Sequence, residues 1–145
     1  MISPKKDEPY ISSLLLRGEG ESLDFKQSIN SAEKIAKTLA AFANTSGGKL
    51  LVGVSDQKKI TGIDEHEEMY IIDKAAKEFC HPAIQVEYGL YIHEEFKGKD
   101  EEPIEKIILE AIIHKSDQRH FVKNKEGQPV YYIRVMDRSL PKILD

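Results

Sequence analysis

The feature that most constrains this chain is a helix-length amphipathic run that ends in two glycines and passes at once into an uninterrupted apolar segment. Residues 31–45 place Ile35, Leu39 and Phe42 at spacings of four and three, with Ala32, Ala36, Ala40 and Ala43 among them. That is the period of a helix face, and the alanines allow close approach by whatever packs there. Asn30, with Glu33 three residues on, is the expected N-cap. Asn44 to Gly48 supplies the stop, because Asn and Gly tolerate the left-handed backbone that ends helices. Leu50 to Val54 is a continuous apolar run, which predicts a strand covered on both faces and central in its sheet. The turn between them should hold helix and strand together.

Downstream the periods alternate again. Asp64, with Glu67 three residues on, caps a second predicted helix whose apolar positions Met69, Ile72, Ala76 and Phe79 run until Pro82 interrupts them. Its other face is acidic. Val86, Tyr88, Leu90 and Ile92 alternate, as do Ile107, Leu109, Ala111 and Ile113 after the charged loop 97–103, so two paired strands are expected. Residues 124–129 read as a turn and 130–135 as a last strand, with Tyr131, Ile133 and Val135 on one side and Tyr132 and Arg134 on the other. There is no internal repeat and no low-complexity tract.

A chain of 145 residues fits one domain, and a domain of that size buries about 70% of the surface its unfolded chain exposes. A core without staples is therefore expected. Cys80 stands alone, which excludes a disulfide framework and a cysteine zinc site and reads as a small buried hydrophobe. The first ten residues hold Lys5, Lys6, Asp7 and Glu8 with no apolar run behind them, so neither a secretory signal nor a membrane span is expected, and the reading is a soluble cytoplasmic protein. The net charge of −4 weighs against a protein that coats nucleic acid indiscriminately. The acids concentrate in residues 64–110, with 14 Asp and Glu against 5 Lys and Arg. A mildly basic surface built from the two ends of the chain remains open beside an ordinary mixed surface with one solvated acidic region.

Three constellations could carry chemistry. Glu19 and Asp24 precede or open the first strand and Asp56 follows the central one, so neighbouring strands would bring three carboxylates to one sheet edge. Such a group suits a hard divalent cation, Mg²⁺ or Mn²⁺, which polarises phosphoryl oxygens. The same acids also fit solvated strand ends and turns. The basic set Lys26, Arg119, His120, Lys123, Arg134 and Arg138, with Tyr131 and Tyr132, has the chemistry for phosphate contacts and base stacking, although Tyr and Arg on a strand also simply cover a sheet. Asn44-Thr45-Ser46-Gly47-Gly48 looks like a phosphate loop but runs from helix into strand, and Gly48-Lys49 is followed by Leu50 instead of Ser or Thr, so ATP binding is not supported. The five histidines show no metal spacing, and there is no Gly-x-Ser-x-Gly elbow.

The order of these segments carries a resemblance. Glu-Gly-Glu-Ser-Leu-Asp-Phe-Lys (19–26), the helix ending in Ala-Phe-Ala-Asn-Thr-Ser-Gly-Gly (41–48), the strand Leu-Leu-Val-Gly-Val-Ser-Asp (50–56), Ile-Thr-Gly-Ile (60–63) and the late Tyr-Ile-Arg-Val (132–135) together resemble the Schlafen AlbA-type (divergent AlbA) DNA-binding domain family. The resemblance implies one domain over residues 15–140, between an N-terminal extension 1–14 and a tail 141–145. It implies an α+β fold, a mixed and mostly antiparallel sheet with two packed helices, that binds DNA or RNA, with a regulatory role and no cofactor required for binding. It raises Arg134 among the basic residues. It also implies an alternative, since the family's ribonucleases use a Glu, an acid five residues on and a later Asp with a divalent metal. Glu19, Asp24 and Asp56 match those positions, with Asp in place of Glu at 24. A third reading is a protein-interaction domain, favoured by the net charge and the acidic stretch Glu65 to Glu68. A homodimer is compatible with all three, and no membrane partner is expected.

Overall fold

The computed structural model describes residues 2–142. The elements, in order, are α1 (Glu8–Arg17), β1 (Leu23–Lys26), α2 (Ala32–Asn44), β2 (Gly48–Val52), α3 (Glu65–Lys74), β3 (Val86–Glu95), β4 (Ile104–Ile113), β5 (Phe121–Lys123), β6 (Pro129–Val135) and β7 (Arg138–Pro141), with a π turn over Ala75–Phe79 continuing α3. They form an α+β domain with two sheets. The larger has the order β1-β2-β4-β3, in which β1 and β2 are parallel and the other pairs antiparallel. Parallel neighbours need a crossover, and α2 provides it. The smaller sheet, β5-β6-β7, is antiparallel throughout.

The helix α2 is the hub. Ile35, Ala36, Thr38, Leu39, Ala40, Ala41, Phe42 and Ala43 are all buried, so it is covered nearly all round rather than along one stripe. Leu50, Val52, Leu109, Ala111 and Ile113 of the large sheet meet it from one side, and Val122 and Tyr132 of the small sheet complete the same core. The opposite face of the large sheet holds a second core of Leu23, Phe25, Leu51 and Ile108, closed by Ile11 and Leu14 of α1. Residues 1–14 were expected as an extension, yet Asp7 caps α1 by accepting from Tyr10 N at 3.2 Å and a proline occupies its first turn. The start signal is in the sequence, but an amphipathic run this short is hard to distinguish from a tail.

Other boundaries moved for local reasons. Ser31, not Asn30, caps α2, its hydroxyl accepting from Lys34 N at 3.1 Å. The central strand is Gly48–Val52 instead of 50–54, because Gly53 (φ +107°) leaves the strand geometry. Asp64 caps α3 as expected, accepting from His66 N and Glu67 N. The expected last strand does not join the large sheet. It forms the small one with β5 and with β7, which the sequence did not suggest. The expected tail 141–145 lies mostly outside the described residues. No helix among the described residues is long and apolar enough to cross a membrane.

Two local devices join the sheets to α2. Gly47 (φ +75°) has Ile113 O 2.8 Å from where a side chain would begin, and at Gly48 that point is 2.5 Å from the Phe42 ring. Only glycine fits this approach. Asn44 then bonds to two segments of the small sheet: Nδ2 donates to His120 O (2.8 Å) and Tyr132 O (2.9 Å), and Oδ1 accepts from His120 N (2.9 Å). The segment is thus the expected helix stop and also a clip. Asn44→Ala should lower stability by about 2–3 kcal/mol through orphaned backbone groups, read as a shifted urea midpoint; an unchanged midpoint would show that the clip bears no load.

Candidate functional site

The end of β1 and the start of α2 bring together most of the charged residues that the sequence singled out. Alternation on β1 points Leu23 and Phe25 at α1 and leaves Asp24 and Lys26 on the α2 side. Asp24 is buried there beside Arg134, which reaches across from β6. Arg134 Nη2 lies 2.8 Å from Asp24 Oδ1, and the two side chains are 2% and 3% exposed. Three more of the guanidinium donors go to Gly20 O (Nε, 3.0 Å), Ser139 Oγ (Nη1, 3.2 Å) and Leu23 O (Nη2, 3.4 Å), while its Cζ lies 4.9 Å from the Phe42 ring centre. Backbone N of Arg134 donates to Thr45 Oγ1 at 2.9 Å. Arg134 therefore directs its guanidinium hydrogen bonds to partners inside the protein.

Lys26 approaches the other Asp24 oxygen, Nζ to Oδ2 2.9 Å, and is 41% exposed. Glu19, just before β1, accepts from Phe25 N at 3.1 Å and hydrogen-bonds to Asp24. Desolvation, and then the bond to Asp24, push the Glu19 carboxyl above its ordinary value. Burial pushes Asp24 the same way, but the bond from Glu19, the Lys26 charge and Arg134 outweigh it and hold Asp24 below its ordinary value. Of the two carboxyls, Glu19 is thus the one that holds its proton to the higher pH.

Asp56 is exposed on the turn after β2. Val54 N bonds to Lys26 O at 3.2 Å, which sets this turn at the Lys26 end of the sheet, and the Lys58 ammonium lies 3.5 Å from where a side chain at Gly18 would begin. Glu19 and Asp24 are therefore brought together, while no group of three His, Cys, Asp or Glu is placed to hold a metal ion among the described residues. Both oxygens of Asp24 already face cationic groups, so a Mg²⁺ or Mn²⁺ ion would have to displace a guanidinium and an ammonium. In this arrangement the donor set does not fit a resident divalent cation.

Beside Lys26 opens a cleft of about 450 Å³ between the end of β1 and the first turns of α2. Lys26 and Lys34 line it together with Asn30 and Ser31, and no carboxylate does. One turn further along α2, Lys37 holds its ammonium 5.6 Å from the centre of the Tyr132 ring. Lys34 and Lys37, at i and i+3, share a helix face. Two expected residues, Lys26 and Tyr132, thus flank a lysine pair that sequence reasoning passed over. The missed signal was the Lys34/Lys37 spacing, which on sequence alone is any solvated helix face. Glu68 of α3 fixes the cleft's loop, accepting from Ile29 N at 3.0 Å.

The remaining basic residues lie elsewhere. Arg119 is exposed at a smaller hollow of about 130 Å³ with Asn44, Tyr131 and Lys142. Lys123 and Arg138 are exposed on β5 and β7. His120 is buried, its ring nitrogens 2.7 Å from Pro82 O and 2.8 Å from Ser116 Oγ.

Removing one partner of the buried pair should be costly. Asp24→Asn is expected to lose about 3–5 kcal/mol, because it strands the Arg134 charge; a variant as stable as the parent in urea would refute the pairing. The pH dependence has two opposed limbs. Asp24, with its value depressed, contributes stability that is present above the ordinary aspartate value of 3.8 and lost as pH falls through the folded value. Glu19, with its value raised, contributes stability that is present below the ordinary 4.5 and lost as pH rises through its folded value. Carboxyl NMR should show Glu19 titrating above 4.5 and Asp24 below 3.8, and Glu19→Gln should abolish the loss on the rising side. Coincident, ordinary titrations would contradict the opposed shifts.

The comparisons with known proteins agree with this geometry at the level of fold and family. One solved structure with a similar fold is the DIP2311 protein from Corynebacterium diphtheriae, at a TM-score of 0.55 and 18% identity. The match covers 92% of this chain but 29% of that one, so this chain spans less than a third of that protein's length. No functionally curated protein matches. The family described as Schlafen, AlbA_2 matches residues 19–142, from the Glu19 carboxyl through the last described residue, and the chain belongs to that family.

Proposed function

We propose that this chain is a nucleic-acid-binding domain that holds a sugar-phosphate backbone along the first half of α2. The observation that carries the reading is the cleft at Lys26 and Lys34, which no carboxylate lines although the chain as a whole is acidic at −4. Phosphates are held by Lys and Arg contacts and by helix N-termini, and here both converge on one hollow. Lys37 extends the surface with another phosphate contact, its ammonium set over the half-buried Tyr132 ring. Membership of the Schlafen AlbA_2 family supports the same ligand class.

In this reading Arg134 and Asp24 are positioning residues. The pair fixes the end of β1, and so the root of Lys26, against the small sheet that carries Tyr132. Arg119, Lys123 and Arg138, exposed and away from the cleft, add general attraction for a polyanion and sit at its periphery.

Fluorescence anisotropy with labelled DNA and RNA oligonucleotides tests the reading. Affinity should fall steeply between about 50 and 200 mM salt, and Lys26→Ala or Lys34→Ala should each reduce the salt slope by about one. Lys99→Ala, on the exposed β3–β4 loop, should change neither. Absence of binding at the low-salt end, or binding with no salt slope, would overturn the proposal.

A further inference from the structure

We infer that the outer edge of β3 is a self-association surface, at which a second copy of this chain pairs antiparallel with the first, and that residues 2–6 are a removable strip that occupies this edge in the single chain. The inference is independent of the binding reading above. β3 is a strand of 10 residues at one edge of the large sheet, and β1, which carries Lys26, is the other edge. An edge of that length is a template for a further strand, and natural proteins blunt it with prolines, lysines or a covering segment. Here the cover is one residue wide. Lys5 N donates to Leu90 O at 2.9 Å and Lys5 O accepts from Ile92 N at 2.8 Å, the sole backbone hydrogen bonds on that side of β3 among the described residues. Alternate residues of an antiparallel strand turn N–H and C=O to the same side, so Val86, Tyr88 and Glu94 present theirs to this edge as well.

The strip is lightly held. Ile2 packs against the main core, but residues 3–6 are exposed. Lys6 pairs with Glu94 at 2.5 Å on the surface, a contact of the kind that contributes little. A hollow of about 350 Å³ remains beside it, bordered by Ile92 and Phe96. What fits the uncovered edge is the edge itself. A two-fold axis at Leu90 pairs β3 with its copy over nearly its full length and sets Leu90 against Leu90, Tyr88 against Ile92 of the second copy and Glu87 against His93 of the second copy. The seam is then apolar on the α2 face, sets a carboxylate against an imidazole on the α1 face and opposes no two carboxylates, which are the cross-strand pairs that stabilise a sheet. Phe96, exposed just past the end of β3, falls at the start of the other β3. Lys5 stands between Leu90 and Ile92, at the centre of that seam, so strip and second copy exclude each other.

Sedimentation velocity over a range of concentrations, together with amide hydrogen exchange, tests this on the full chain. Lys5→Pro removes the donor to Leu90 O and should tighten self-association by about tenfold, because the competent edge is no longer masked. Lys6→Glu, set against Glu94, should act in the same direction. Adding Glu87→Lys to Lys5→Pro should return the protein toward the monomer. As the dimer forms, the amides of Tyr88 and Glu94, open in the single chain, should slow in exchange together with that of Ile92. Unchanged mass in both Lys5→Pro and Lys6→Glu, or assembly in which the Tyr88 and Glu94 amides stay fast, would overturn the inference. Slowed exchange at those amides with no rise in mass would do the same, by showing that the chain covers its own edge.

Discussion

The Arg134 guanidinium, buried between Asp24 and the Phe42 ring, couples parts of this protein that the chain itself leaves far apart. It comes from the small sheet, and it closes on the Gly20–Asp24 segment that leads into the large sheet. An ion pair so far from water is not in itself a source of stability, since desolvation offsets the attraction. What it provides is registry. A guanidinium with donors in a fixed fork accepts few arrangements of partners. With Gly20 O, Leu23 O, Ser139 Oγ and Asp24 Oδ1 all in place, the small sheet has one position on α2.

That registry has consequences for the surface. Lys26 stands two residues beyond Asp24 on the same side of β1 and shares its carboxylate, so anchoring Asp24 also anchors the lysine at the mouth of the cleft. Tyr132 stands two residues before Arg134 on the same side of β6, and Lys37 reaches it from α2. The buried pair and the exposed lysines are thus two layers of one device. Glu19 belongs to the lower layer, its carboxyl accepting from Phe25 N beside Asp24.

Much of the fold was legible because its signals are local. The α2 period, the double-glycine stop and the apolar β2 run are each read within a few residues, and the structure gives each a physical role, with Phe42 packed so close to Gly48 that no side chain fits between. Alternation also paired Tyr132 with Arg134 correctly. Alternation gives sides, however, and not which side is covered. The face expected to meet a ligand turned inward onto α2, because that helix has apolar residues on the side away from the large sheet as well. The same limit applies to the acids. Spacing brought Glu19 and Asp24 to one place, but nothing in it revealed that Arg134, more than a hundred residues later, would occupy Asp24. Lys34 and Lys37 were invisible as a site for the converse reason: their significance comes from what β1 and β6 place beside them.

The central claim, that nucleic acid is held on the Lys26–Lys34 side of α2, is tested most directly by amide hydrogen exchange with and without a saturating single-stranded oligonucleotide. The account predicts slowed exchange concentrated in residues 26–38 and around Tyr132, with the acidic α3 surface unchanged. Protection confined to α3, to the β3–β4 loop or to the outer faces of β5 and β7, with none at 26–38, would contradict it.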